Sequence, residues 1–423
     1  MIWVMVFSFF LLIILGTPIA FAMGASSLLY VLVEGIPLST LAQRFFSNTQ
    51  SFAFLAVPFF ILAGNIMVHG DIARRLIDVA NSMVRHLPGG LACVSVVTSM
   101  GMAGVSGSSV ADAASVGSVL IPEMKKKGYP SSFSVAINAT SSVVGIIIPP
   151  SSTMIIIAWL ANLSVAEMFL AGIIPGLLIG LTYLATTIII SKKRNYPRED
   201  KPTLNELLKN MKTAAWALVL PFLLLAVIVF GIATATEAAA VAAVYALFIA
   251  VFVYKSLSWK GFIASLKESV YSTTSVMIIV CTASIFTWIL IQEGIPQRLS
   301  NFILSLGLPD WGLLFIMIVI MFIFGMVMDL VPNLFIFIPI FMPIATGMGM
   351  DPIHFSLVML CTLALGLFTP PVGATLFISL HLAKLEMDEA LKDLIPFAIT
   401  GLAVVLLIAY IPALTLSIPG LLR

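Results

Sequence analysis

The sequence predicts an all-α polytopic membrane protein of two inverted-topology repeats, each with five spans, a re-entrant helical hairpin and a broken helix. Three observations carry this reading. Of 423 residues, 61% are apolar and 9% charged, and the mean hydropathy is +1.14, which excludes a water-soluble domain of ordinary make-up. Residues 88–180 overlay 309–401 without a gap at a constant shift of 221. Pro88, Gly104, Pro122, Gly128, Gly145, Pro149, Pro150, Pro175 and Gly180 then fall on Pro309, Gly325, Pro343, Gly349, Gly366, Pro370, Pro371, Pro396 and Gly401. Third, the Lys and Arg residues crowd onto one side when sides alternate at each crossing.

Usage of 28 Gly and 23 Pro predicts about one such coincidence by chance, and nine occur. Gly and Pro set backbone shape, so the repeat preserves turns and helix breaks. Spans are expected at 2–17, 18–33, 51–69, 131–160 and 168–190. The same order returns at 214–231, 235–254, 271–291, 353–382 and 394–418. The first repeat therefore covers 1–190, a linker 191–212 and the second repeat 213–423. Each half adds an apolar segment with a polar break: 88–123 around Gly104-Val-Ser-Gly-Ser-Ser109, and 309–345 around Met328-Asp-Leu-Val-Pro-Asn333. Arms of about 16 residues make ~24 Å of helix, short of a ~30 Å hydrocarbon core, and read as re-entrant hairpins.

Five crossings per half is odd, so the second copy lies inverted against the first. Of the 21 Lys and Arg, 18 then share a side, among them Arg74, Arg75, Arg85, Lys125 to Lys127, the linker cations, Lys255, Lys260, Lys267, Lys384 and Lys392. Only Arg44, Arg298 and Arg423 lie opposite. The crowded side is cytoplasmic by the positive-inside rule, and both termini lie outside. Met1-Ile-Trp-Val-Met5 has no positive n-region and reads as a first span, with no removed signal. The linker is basic and polar, with a short helix expected at 203–211, and serves as a topology anchor. Segments 71–86 and 294–306 are amphipathic and read as surface helices. Cys93, Cys281 and Cys361 stand singly in apolar runs, as buried hydrophobes do. A net charge of +2 gives no reason to expect nucleic acid.

Two broken helices, Gly145-Ile-Ile-Ile-Pro149-Pro150 and Gly366-Leu-Phe-Thr-Pro370-Pro371, and two hairpin tips strip the backbone of helical bonds at membrane depth. Such backbone must be buried in protein or line a wet cavity. A chain with two such copies is most simply a secondary transporter. Carbonyls freed at a Gly-x-x-x-Pro-Pro break suit a hard monovalent cation, about one Na⁺ per repeat. The expected ligands are Ser106, Gly145, Ile148 and Pro149 in the first repeat, and Gly325, Gly366, Thr369 and Pro370 in the second. The structural alternative is that Gly and Ser merely let helices pack closely. Free N–H groups at half-helix starts suit an anionic substrate. Ser108 and Asp329 occupy equivalent tip positions and should border one cavity with Ser109, Ser151, Ser152, Thr153 and Asn333. Asn333 replaces Asp112, which is either an intramembrane functional carboxylate or a helix cap. No Lys or Arg lies at membrane depth, so an acidic substrate must be met by dipoles, hydroxyls and cations. Asp329 then suits hydroxyl or amine groups of the substrate, which favours a sugar acid over a bare dicarboxylate. His69, His86, His354 and His381 show no metal-ligand spacing, and Glu237 reads as interfacial. Gly104-Val-Ser106-Gly107 also fits the GxSG pattern of intramembrane serine proteases, with His381 as the only histidine in a suitable span. A protease leaves the repeat unexplained.

The chain resembles the large membrane subunit of tripartite ATP-independent periplasmic (TRAP) transporters, the DctM-like family, over nearly its whole length. The resemblance rests on Gly101-Met-Ala-Gly-Val-Ser-Gly-Ser-Ser-Val-Ala-Asp-Ala-Ala-Ser115, Ile121-Pro-Glu-Met-Lys-Lys-Lys-Gly-Tyr-Pro130, Ile146-Ile-Ile-Pro-Pro-Ser-Ser152 and Leu367-Phe-Thr-Pro-Pro-Val-Gly373. It implies a Na⁺-coupled importer of organic acids in a bacterial inner membrane, multi-pass, with both termini periplasmic. It implies an elevator-type transporter: hairpins and broken helices move as one body against a scaffold of spans 2–33 and 214–254. It implies two partners, a small membrane subunit of about four helices and a periplasmic substrate-binding protein. Because the chain begins at its first span, the small subunit is expected as a separate polypeptide. Sialic-acid members are the nearest in impression, with C4-dicarboxylate and other sugar-acid members as alternatives. A solitary Na⁺/divalent-anion symporter of related fold is the other transport reading.

Overall fold

A computed structural model describes residues 2–47, 52–305 and 307–422, and among these every regular element is helical. In chain order the helices are α1 (Ile2–Ile14), α2 (Ile19–Val33), α3 (Leu38–Ser47), α4 (Ala56–His69), α5 (Ile72–Val84), α6 (Gly90–Ser106), α7 (Ser109–Lys126), α8 (Ser131–Ser142), α9 (Ser152–Leu160) and α10 (Val165–Lys193). They continue as α11 (Leu204–Val229), α12 (Ala235–Phe248), α13 (Trp259–Gln292), α14 (Ile295–Ser305), α15 (Asp310–Val327), α16 (Leu330–Gly347), α17 (Pro352–Gly366), α18 (Ala374–Ala383), α19 (Met387–Tyr410) and α20 (Ala413–Leu422). Seven of the described helices are long and apolar enough to cross a bilayer. Their starts follow from local chemistry. Ser164, Thr203 and Thr234 each accept a hydrogen bond from the backbone N–H of Glu167, Glu206 and Glu237, satisfying donors that the first turn leaves open.

Adding 221 to the bounds of α5 through α10 lands on α14 through α19 within a few residues. Packing between the halves is exchanged in matched pairs. Half-helix α9 packs on α16 while α18 packs on α7; α8 lies on α19 and α17 on α10; α4 lies on α12 and α2 on α13. At the centre, every residue from Phe133 to Ser142 and from Ile353 to Gly366 is buried. Two polar ties cross there. Asn138 Nδ2 donates to Ser379 Oγ at 2.8 Å, and Thr375 Oγ1 donates to Ala139 O at 3.1 Å. The outer faces of α1, α2, α11 and α12 instead expose large apolar side chains such as Trp3, Phe21, Phe222 and Val244, as a lipid-facing wall does.

Four expectations need correction. The helix placed at 203–211 is not separate, because no breaker interrupts its run into the span, and α11 is continuous from Leu204. The span expected at 394–418 ends at Tyr410, and a second short helix starts at Ala413 after Pro412, which has no N–H to continue the ladder. The span at 271–291 is the far half of α13, whose 34 residues make about 51 Å of helix. Its first-repeat counterpart is divided into α3 and α4, and α3 had no counterpart among the expected elements. Helix α5 turns off α4 by 70°, as a surface helix following a span must.

The linker is pinned down by charge. Arg85 makes a bidentate pair with Glu206 at 2.6 and 2.8 Å, and Lys127 reaches Glu199 at 3.0 Å. Arg194 reaches buried Asp393 at 2.6 Å, and Ser132 donates to the other carboxylate oxygen at 2.7 Å. His354 is likewise occupied, with Thr415 Oγ1 at 2.7 Å and Ala409 O at 3.1 Å docking α20.

The two break glycines differ in packing. A Cβ on Gly366 would strike the Gly325 carbonyl group and lie 2.6 Å from its Cα, whereas one on Gly145 would meet nothing nearer than 3.8 Å. Backbone cannot step aside as a side chain can. Gly366→Ala is therefore expected to lower the melting temperature in detergent by several degrees or abolish the monodisperse species, with Gly145→Ala close to the parent. Equal melting curves for the two variants would show that α15 and α17 can separate at no cost.

Candidate functional site

The site is assembled from two tips and two breaks. At the first tip, Gly107 at φ 56° takes the left-handed turn that favours glycine, and a Cβ there would stand 3.2 Å from the Ser152 backbone nitrogen. Ser108 then caps α7 by accepting from Ala111 N at 3.4 Å. At the second tip, Asp329 caps α16 by accepting from Leu330 N at 2.8 Å. Each tip is tied to the break of its own repeat. Ser152 Oγ donates to Gly107 O at 3.1 Å, and Val372 N donates to Met326 O at 3.0 Å. The first break runs through a tight turn, Val143–Ile146, before α9 begins; both breaks carry a cis Pro–Pro bond.

Both tips open on one cavity of about 160 Å³. Ser108, Ser109, Ser152, Thr153 and Asp329 line it, together with Ile146 and Leu367 from the two breaks. Its other wall comes from α4 and α13, through Val57, Ile61, Asn65, Ser272 and Val276 among others. None of the lining residues is Lys, Arg or His. Helices α7, α9 and α16 all start at this cavity, so three sets of first-turn N–H groups converge on it. The starts of α7 and α16 are capped by Ser108 and Asp329, whereas α9 has no side-chain cap. The α9 start is thus the open donor for an anion.

Two expected substrate residues do not reach the cavity. Ser151 is fully buried with an unpartnered hydroxyl. Asn333 is fully buried and ties the second tip together, its Nδ2 donating to Met328 O at 3.1 Å and Phe324 O at 3.4 Å. Among the expected cation ligands, the Ser106 side chain lies outside the described residues. Gly145 and Gly366 sit at their breaks, and Gly325 touches Gly366. Ile148 donates its N–H to Val144 O at 3.1 Å, and Pro149 O lies 3.8 Å from where a Gly104 Cβ would stand. Pro370 lies in the second break, and Thr369 donates its hydroxyl proton to Leu365 O at 2.6 Å, leaving lone pairs for a cation. His381 borders a separate apolar cavity with Phe377 and Leu382, away from the first tip.

Asp112 caps nothing, which removes the capping alternative. It is fully buried, and neither carboxylate oxygen has a hydrogen-bond partner among the described residues. The neighbouring Ser99 hydroxyl is bonded to Ser141 at 3.3 Å. Oδ2 lies 3.8 Å from where a Gly145 Cβ would stand, so the orphaned carboxylate faces the first break. A buried carboxylate without a donor is costly while ionised, and a bound cation or a proton relieves that cost. Among the described residues no group of three His, Cys, Asp or Glu could hold a metal ion. The sequence reading missed Asn65 and Ser272, which interrupt long apolar spans; the spacing of Ser265, Ser269 and Ser272 on one helical face was the available signal.

The sequence profile of the family described as "Tripartite ATP-independent periplasmic transporter, DctM component" matches residues 6–414. A C4-dicarboxylate TRAP transporter large permease protein DctM from Pseudomonas aeruginosa is 37% identical, covering 94% of each chain. The 2,3-diketo-L-gulonate TRAP transporter large permease of Escherichia coli is 35% identical over 95% of each chain. Among solved structures, the Alcanivorax borkumensis YdaH transporter superposes with a TM-score of 0.62 at 14% identity, covering 88% of each chain, a likeness of fold alone.

The unpaired Asp112 carboxylate gives a test without substrate. Replacing choline by Na⁺ should raise the melting temperature of the wild-type protein, because a cation that binds only the folded state stabilises it. Asp112→Asn should be at least as stable as wild type in choline and respond much less to Na⁺. An undiminished Na⁺ response in the variant would remove Asp112 from the cation site.

Proposed function

Because the chain belongs to the DctM component family of TRAP transporters, a family of membrane permeases and not of enzymes, we propose that it is the large membrane subunit of a Na⁺-coupled importer of organic acids, with a hydroxylated sugar acid as its cargo. Family membership sets the protease reading aside. One observation carries the substrate reading: a central cavity with no cationic side chain, an uncapped helix start on one side and the Asp329 carboxylate on another. The substrate carboxylate would lie at the α9 start, against Ser152 and Thr153, where backbone N–H groups and hydroxyls can donate. Its hydroxyls would donate to Asp329, which can only accept when ionised.

In this reading Asp112 and freed carbonyls around Gly145, Ile148 and Pro149 would hold one Na⁺. Carbonyls near Gly366 and Pro370, with Thr369 Oγ1, would hold the other. The hairpins and broken helices form one packed group that would move against α1, α2, α4 and α11 to α13, carrying the cavity's mobile wall across the bilayer. The family also supports two partners, a small membrane subunit and a periplasmic binding protein that delivers the acid. The excess of Lys and Arg on one side supports a cytoplasmic linker and periplasmic termini in the inner membrane.

Reconstitution tests this. Proteoliposomes holding the large and small subunits, with the binding protein outside, should take up sugar acid only under an inward Na⁺ gradient. Asp329→Asn keeps a capping side chain and is expected to cut uptake at least tenfold with the protein still folded; Ser108→Ala should be milder. Uptake indifferent to Na⁺, or sustained by a proton gradient alone, would overturn the coupling. Wild-type uptake by Asp329→Asn would return that residue to capping alone.

Motion has its own test. The native Cys93, Cys281 and Cys361 are buried, so an introduced pair can be crosslinked selectively. Cysteines at Ala111 on the first tip and Val276 on α13, once joined, should stop uptake while the assembled complex persists. Full uptake in a completely crosslinked sample would exclude relative movement of the two walls.

A further inference from the structure

One wall of the central cavity pairs α4 with α13, its counterpart in the other repeat, and Asn65 lines that wall from α4. Among the lining residues Asn65 is the only amide. Its setting fixes which way it points. Asn65 Nδ2 donates to Ser269 Oγ at 2.9 Å. The Ser269 hydroxyl proton is spent on Ser265 O at 2.6 Å, so Ser269 can only accept from its neighbour. The nitrogen must therefore face Ser269, and Oδ1 is directed elsewhere. That oxygen has no hydrogen-bond partner among the described residues, and it is not a buried orphan. Ser265 Oγ lies 3.3 Å from Asn65 O, with Gly261 O its nearer acceptor at 2.9 Å, and His69 meets Glu268 at 2.9 Å one turn along. Five polar residues thus meet between α4 and α13, in a stretch of α13 that also carries Lys260, Lys267 and Ser272. Of the five, Asn65 is the one that lines the cavity.

We propose that Asn65 is a specificity-determining contact on the stationary wall of the cavity, where its Oδ1 accepts a hydroxyl of a polyhydroxy acid, and that Ser269 is its positioning residue. The proposal rests on the organic-acid reading above and deepens it. Asn65 Oδ1 and the Asp329 carboxylate are both acceptors, on walls from different parts of the fold. A cargo bridging them must carry donors at two places, which a sugar acid does and succinate does not. An acceptor left facing an apolar group in a dry cavity loses its water without replacement, so the discrimination grows when the cavity closes.

The test uses the assembled transporter in proteoliposomes with its binding protein and three probes: D-gluconate, L-malate and succinate. Wild type should favour gluconate. Asn65→Ala should lower gluconate uptake about tenfold and change succinate uptake less than about twofold, narrowing the ratio between the probes. Asn65→Gln should restore part of the ratio, and Ser269→Ala, which frees the amide to turn, should lower it by a smaller factor. A parallel loss for all three probes, with a lower melting temperature, would make Asn65 structural and overturn the proposal. An unchanged probe ratio in Asn65→Ala would overturn it while leaving the organic-acid reading intact. Failure of wild type to take up any of the probes would remove the organic-acid reading and this inference together.

Discussion

Backbone that leaves a helix at membrane depth must find partners inside the protein, and the architecture is organised around that constraint. Each unpaired polar group in hydrocarbon would be unfavourable by several kcal/mol, on the order of a large part of a domain's whole stability. The chain has four such places, two breaks and two tips. The solution is to bury α8 and α17 completely, cross-brace them through Asn138 and Thr375, and close each tip onto its own break through Ser152 and Val372. Of the buried side-chain atoms left without a partner among the described residues, only Asp112 contributes both oxygens of a carboxylate.

The duplication extends to backbone and stops short of charge. Shape-setting Gly and Pro recur at nine paired positions, and the helices from α5 to α10 return as α14 to α19. The carboxylates do not recur. Tip position 108 is Ser in one copy and Asp at 329, while one turn deeper 112 is Asp and 333 is Asn. The buried acid of the first repeat faces its break, whereas the acid of the second opens on the cavity. Packing diverges in the same way, with Gly366 against Gly325 and Gly145 against an acid. A symmetric scaffold with unequal sites suits a cargo that is itself unsymmetrical, one end a carboxylate and the other hydroxylated.

Tips and breaks were legible where helix-breaking Gly and Pro cluster: Gly107 takes a left-handed turn, and the Pro149-Pro150 and Pro370-Pro371 pairs put two residues without an N–H side by side. Single prolines were no such guide, since Pro122, Pro175, Pro343 and Pro396 lie inside continuous helices. The pairing of Ser108 with Asp329 was legible from the shift alone, and both border the cavity. Side-chain fate was not. Ser151 stands beside Ser152, yet a rotation of about 100° along the helix start turns one inward and leaves the other on the cavity. Asn333, which takes the place of Asp112 in the second repeat, was expected at the substrate, and it instead spends its amide holding the tip closed. Asn65 escaped because a single amide in an apolar span has no local signature; only the facing Ser265 and Ser269 give it meaning.

The absence of Lys and Arg from the cavity bears on coupling more than on affinity. An anion entering a space bordered by Asp329, with Asp112 a turn deeper, meets two negative charges and only dipoles in compensation. At a separation on the order of 10 Å and an effective dielectric near 20, each like-charge pair is unfavourable by roughly 1.7 kcal/mol, more than a tenfold loss of affinity apiece. Under the proposed stoichiometry, two Na⁺ ions, one of them on Asp112, would offset the two negative charges before the substrate arrives, and ions would bind first for reasons of charge. A guanidinium in the cavity would bind the same anion permanently, with or without Na⁺, and transport would then be uncoupled from the gradient. Leaving the site to carbonyls, hydroxyls and carboxylates would, under that proposal, make the ions a condition for occupancy. Under that proposal Asp112 would be the element that ties substrate binding to Na⁺, since it is a buried carboxylate with no donor of its own among the described residues.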